Sequence, residues 1–199
     1  MTINLVKGGR INLSKELPSL TKVRVGLGWN PNPTNTGSKF DLDVSVFVLK
    51  SAPTAPQGMK LISDSHFVFY NNTSDPEKAT VHSGDNRDGG AVGDDETVVI
   101  ELAKLNAEAV ELSFVVTIDE AHARKQNFGQ VSASYITLYD DVTSAVICTY
   151  KLEDDFSTET AVQFGSLIKK DGSWLFKAVG TGYDKGLGDF VVAYGGMLA

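Results

Sequence analysis

Runs that alternate polar and apolar residues, not helical periodicity, set the limits on what this chain can fold into. Lys22-Val23-Arg24-Val25-Gly26-Leu27-Gly28-Trp29 alternates at period two, as a strand with one wet face does. Leu42 to Leu49 starts the same way and ends as a continuous apolar run. Further strand candidates lie at 66–70, 97–102, 112–118, 134–139, 145–152, 161–168 and 174–179, rich in Val, Ile, Thr and aromatics. Between the last two, Asp171-Gly172 predicts a tight hairpin turn, because both of its central positions need a positive φ. One short helix is expected from Asp119 to Gln126, with Asp119 as its N-cap, and a single turn around Asp154 to Thr160. No ten-residue window carries a convincing amphipathic helix. The pattern predicts an all-β chain, a two-sheet β-sandwich with a few short helices. The connections at 30–39, 51–59 and 71–96 are loops rather than linkers, so residues 1–199 are read as a single domain.

At 42% hydrophobic and 22% charged residues, the chain has enough apolar surface to exclude a disordered class. Its formal net charge of −7 makes it a poor general nucleic-acid binder and favours cations or basic partners. No apolar run approaches the ~18 residues of a membrane span, and the start lacks the apolar core of a secretory signal. The single cysteine, Cys148, cannot form an internal disulfide. A reducing compartment, the cytoplasm, is therefore the expectation.

The charge is uneven. The first 40 residues carry six bases and one acid, whereas residues 41–96 carry ten acids and four bases. Three polar clusters in this acidic stretch sit at predicted strand ends. Asp41 and Asp43 share one face at period two and can reach one ion or two neighbouring ions. Asn71 and Asn72 end an apolar strand and offer neutral amide oxygens. The segment from Gly84 to Glu96 combines Asp85, Asn86, Asp88, Asp94, Asp95 and Glu96 with four glycines. Such oxygen donors suit a hard cation, Ca²⁺ before Mg²⁺, and the nearby His66 and His82 are too few for a zinc cage. Asp85 to Glu96 superficially resembles an EF-hand loop, but Arg87 and Gly89 occupy positions that need oxygen ligands. The plain alternative is that these are solvated turns and solvent-facing strand residues.

These residues, taken in order, resemble the TerD family of bacterial tellurium-resistance and stress-response proteins. The resemblance rests on Val6-Lys7-Gly8, Arg24 to Trp29, Phe40-Asp41-Leu42-Asp43, Phe67 to Asn72, Gly84-Asp85-Asn86 and Gly93-Asp94-Asp95-Glu96. Gln126 to Val131, Asp155 to Ala161 and Gly182-Tyr183 with Gly186-Leu187 extend it over nearly the whole chain. It implies a β-sandwich that binds two calcium ions, with Asp41, Asp43, Asn71, Asn72, Asp85, Asn86, Asp94, Asp95 and Glu96 as ligand candidates. It also implies a non-enzymatic role in tellurite resistance, with other tellurium-resistance proteins as partners, some at the inner membrane. The linker Arg87 to Val92, the Pro-rich segment Ala52 to Gly58 and the tail around Asp189 depart from the family pattern.

The competing function is a metal-dependent hydrolase using the same acids, with Asp43 and Asp85 as an acid–base pair and Ser132 or Ser157 as nucleophile. No nucleophile motif or phosphate loop accompanies them. Cys148 lies in an apolar run and reads as core, as do Trp29 and Trp174. His82 reads as a hydrogen-bonding residue at a strand end. The basic side chains Lys7, Arg10, Lys15, Lys22 and Arg24 read as a solvated face.

Overall fold

A computed structural model describes residues 3–30, 39–87, 89–151, 156 and 158–198. Among these residues thirteen strands form: β1 Ile3–Asn4, β2 Arg10–Asn12, β3 Lys22–Gly28, β4 Leu42–Ser51, β5 Met59–Leu61, β6 Phe67–Val68, β7 Thr80–His82, β8 Glu96–Glu101, β9 Glu111–Ile118, β10 Tyr135–Asp140, β11 Ala145–Lys151, β12 Ala161–Lys170 and β13 Ser173–Tyr183. Three short helices accompany them: α1 Leu13–Glu16, α2 Ala121–Arg124 and α3 Leu187–Ala193. The first sheet runs β1-β11-β10-β3-β8-β7 and the second β2-β13-β12-β9-β4-β5, with β6 also paired to β4. Pairing is antiparallel except between β1 and β11. The predicted sandwich is what forms.

The two sheets differ in how they are covered, and the sequence pattern follows. In the first sheet β8 alternates buried and half-buried residues, so one face meets solvent. In the second sheet every residue of β9, and β4 from Leu42 to Leu49, is buried. Leu42, Val44, Val46, Leu112, Phe114 and Val116 face the inter-sheet core. On the other face Phe47, Leu49 and Val115 pack under Phe67, Phe190, Val191 and Tyr194. A strand covered on both faces reads as a continuous apolar run rather than an alternation.

At Val44 the edge of β4 runs past β6, which pairs only Val46 and Phe47. Buried side chains of the opposite sheet take over there. Glu96 accepts the Val44 N–H at 2.9 Å, and His82 Nε2 donates to the Val44 carbonyl at 3.0 Å. Gly84 N–H donates to the other ring nitrogen of His82, which fixes the tautomer. Both side chains are inaccessible and stand 3.5 Å apart. A strand edge is thus satisfied by side chains instead of a neighbour, and the two sheets are clasped at the end that carries the acidic loops.

Several expectations are refined. Asp171 and Gly172 both have positive φ, 50° and 76°, as the hairpin turn requires. The helix expected over 119–126 shrinks to α2, and Asp119 is not its cap. Glu120 holds that position in a left-handed conformation without a side-chain cap bond. The strand expected over 66–70 contracts to β6, because residues 64–66 form a 3₁₀ turn. Trp29 and Trp174 are buried, as is Cys148. Most of loop 30–39, Asp88, and Asp154, Asp155 and Ser157 of the turn expected around 154–160 lie outside the described residues. Among the described residues no helix is long and apolar enough to cross a membrane.

Candidate metal centre

Asp41 and Asp43 stand at the start of β4, and Asp85 follows β7. One carboxylate oxygen from each lies within 4.8 Å of the others. The side-chain period of two puts Asp41 and Asp43 on one face, as the sequence predicts. The pairing of β4 with β9 adds a fourth acid. Asp43 lies opposite Thr117, and the Asp119 N–H donates to the Asp41 carbonyl at 2.9 Å. A cleft of about 300 Å³ results, lined by Asp41, Asp43, Tyr70, Asp85, Arg87, Asp119 and Arg124.

The acids are unequal. Arg87 Nε donates to Asp85 at 2.7 Å and Arg124 donates to Asp119 at 2.9 Å, so the two outer carboxylates are held by guanidinium groups. The two inner ones are not. Asp43 is only 5% exposed, and among the described residues nothing donates a hydrogen bond to its carboxylate. Burial, then the charges of Glu96, Asp41, Asp119 and Asp85, push its pKa up to about 8. Burial, then Asp85 and Asp119, raise Asp41 to about 6. Asp41 Oδ1 is buried without a hydrogen-bond partner. The Tyr70 phenol is raised by burial and by the same carboxylates. A buried carboxylate without donors is costly, and a cation is one partner that would offset that cost. The donors are all oxygens, which fits a hard cation such as Ca²⁺.

The other sequence candidates are not among the residues lining the cleft and are committed to the scaffold. Asp94 accepts from Arg24 at 2.9 Å and from the Tyr139 hydroxyl at 3.1 Å. It lies across β3 at Gly26, where a Cβ would collide with its carboxylate. Gly28 makes the same room for the Tyr135 ring, so the spacing of the two glycines records what crosses the strand. Asp95 accepts the backbone N–H groups of Trp29 and Ala91 at 2.9 and 2.7 Å. Glu96 accepts from Val44 and from the Asn86 N–H at 3.2 Å. Asn86 Oδ1 accepts from the Gly89 N–H at 3.3 Å, while its amide donates to the Asp95 carbonyl. Phe69 and Asn72 exchange backbone hydrogen bonds, closing a turn with exposed Asn71 at its tip. Asn72 Nδ2 donates to the Phe67 carbonyl at 2.6 Å. That turn aims Tyr70, rather than either asparagine, into the cleft.

A family model, the TerD domain, matches residues 1–194. The chain belongs to the TerD family. It is 45% identical over 195 residues to the tellurium resistance protein TerD of Serratia marcescens, covering 98% of each chain. It is 44% identical over 195 residues to general stress protein 16U of Bacillus subtilis, again with 98% of each covered. The crystal structure of a TerD homologue from Streptomyces coelicolor, SCO6318, superposes with a TM-score of 0.71 at 22% identity, over 86% of this chain and 95% of that one. At that identity it speaks for the TerD fold alone.

Asp119 and Tyr70, which line this cleft, escape the sequence reading. Asp119 looks like a helix cap because it precedes a short helical pattern, and only its pairing across to β4 reveals its neighbours. Tyr70 looks like the last apolar residue of a strand. Its turn, signalled by the two asparagines, is the clue that it changes direction there.

Proposed function

We propose that this chain is a calcium-binding module of a bacterial tellurium-resistance and stress-response system. The cation centre consists of Asp41, Asp43 and Asp85, with Asp119 beside them. The observation that supports it most is Asp43, a buried carboxylate among three others with no hydrogen-bond donor among the described residues. A cation there offsets the mutual repulsion and ties β4 and β9 to the loop after β7. Because β7 belongs to the opposite sheet, the ion would join the sandwich halves at one end. The role is binding rather than catalysis. The bound ion fixes the acidic loops as a surface for other resistance proteins, in the cytoplasm or at the inner face of the membrane. Asn86, hydrogen-bonded to Asp95 and Glu96, serves with them as the frame that holds Asp85 in place.

Calorimetric titration of chelator-treated protein with Ca²⁺, with Mg²⁺ in parallel, tests this reading. Saturable Ca²⁺ binding with a weak Mg²⁺ response, lost in Asp43→Asn, is expected. A stoichiometry of one assigns a single ion to these carboxylates, and two would require a second site built partly from the frame. Absence of Ca²⁺ binding in the intact protein would overturn the reading.

A further inference from the structure

Beside the acidic cleft lies a second cavity of about 350 Å³, and the two share Asp43, Tyr70 and Asp119 as a common wall. Its size falls in the range of small-ligand sites. The floor is apolar, with Ile118 at the end of β9 and Leu187 at the start of α3. Lys185 and His122, both exposed, also line it, and His122 Nε2 stands 3.6 Å from Asp184. The lining therefore combines carboxylates, the Lys185 ammonium group and apolar surface. Asp43 faces both spaces, and its buried carboxylate takes no protein hydrogen bond among the described residues.

We infer that this cavity takes a small organic oxyanion, a carboxylate or phosphomonoester, which shares the cation held by Asp41, Asp43 and Asp85 and places its remaining charge on Lys185. The inference rests on the cation reading above. Calcium takes six to eight oxygens, more than three carboxylates supply unless all are bidentate. Asp43 lines both spaces, so a ligand in the second cavity lies beside the cation centre. An anion alone would be repelled by Asp43, Asp119 and Glu120. With the cation bound, that wall becomes attractive, and Lys185 in the same lining supplies a point charge suited to an oxyanion. The apolar floor favours an organic body over bare phosphate. Binding of the two partners is then coupled, and the coupling is reciprocal.

The test uses phenyl phosphate, benzoate and inorganic phosphate as probes in saturation-transfer NMR, on Ca²⁺-saturated and chelator-treated protein. Ca²⁺ binding is first measured alone by calorimetry. The expected result is at least tenfold tighter binding of phenyl phosphate or benzoate with Ca²⁺ than without, and weaker binding of inorganic phosphate. The relative affinity of the first two probes distinguishes a phosphomonoester from a carboxylate. Lys185→Glu, an exposed change outside the cation centre, should leave Ca²⁺ affinity within twofold and weaken the organic probe at least fivefold. Normal Ca²⁺ binding with no probe binding would overturn this inference and leave the cation centre standing. Probe binding that ignores Ca²⁺, or that Lys185→Glu does not change, would overturn the shared-cation arrangement. Absence of Ca²⁺ binding would remove both readings together.

Discussion

Asp43 and Asp94 look interchangeable as acids in glycine-bearing or strand-end motifs, yet their surroundings give them opposite roles. Asp94 has a guanidinium and a phenol hydroxyl as donors. Asp43 has burial and like charges. A carboxylate whose folded pKa stands above its unfolded value favours the folded state most at low pH. That advantage is lost as pH rises from about 4 through the folded value of about 8. In chelator, the thermal midpoint of the intact protein is therefore expected to fall between pH 5 and pH 8.5, and Asp43→Asn should flatten that fall. A difference of ~2 kcal/mol corresponds to about 4–8 °C at this chain length. Equal pH slopes in the two proteins would show that Asp43 is ionised without penalty. Asp94→Ala should behave differently. Removing a charge-assisted partner costs ~1.5–3 kcal/mol, and the loss should be the same with Ca²⁺ and with chelator. A loss confined to the Ca²⁺ condition would instead make Asp94 a ligand.

Among elements, the clasp on β4 accounts for most of what spacing alone did not show. The sandwich, the central strands and the Asp171-Gly172 hairpin were legible because period-two patterning and turn chemistry are local. The Asp41–Asp43 pair was legible for the same reason. The grouping of Asp85 and Asp119 with them was not, since it depends on which strands pair and where the loop after β7 lands. Nor was the engagement of Glu96, whose position among acids suggested a ligand although its side chain points inward onto Val44. Helix α3 was missed because Val191 and Val192 favour strands, and packing of Phe190 and Val191 on the outer face of β4 and β9 overrides that preference. The clasp gives a prediction of its own. His82→Ala leaves the buried Val44 carbonyl without its donor and opens a cavity, for an expected loss of ~2–4 kcal/mol in denaturant unfolding. Because His82 is not in the cation cleft, Ca²⁺ should still raise the stability of the variant by the same increment as in the intact protein.

At the scale of the whole molecule, the two ends of the sandwich differ. Its far end closes with short hairpins such as Lys170 to Ser173. Its near end gathers the start of β4, the end of β9 and the loop between β7 and β8, drawn from both sheets, with four carboxylates facing one another. A cation bound there acts on the folded state only, so its stabilisation follows its free concentration. At a hundredfold excess over the dissociation constant it amounts to ~2.7 kcal/mol per site, or about 5–10 °C in midpoint for a chain of this size. The distribution of the effect is the sharper test. Hydrogen exchange should slow on adding Ca²⁺ across residues 83–95 and 119–124, where the cross-sheet contacts are made. Exchange at the centre of β9, already buried on both faces, should change only through global unfolding. If protection rose uniformly over both sheets with no excess at those loops, the ion would be stabilising the fold from elsewhere, and the near end would be a solvated acidic surface rather than a cation centre.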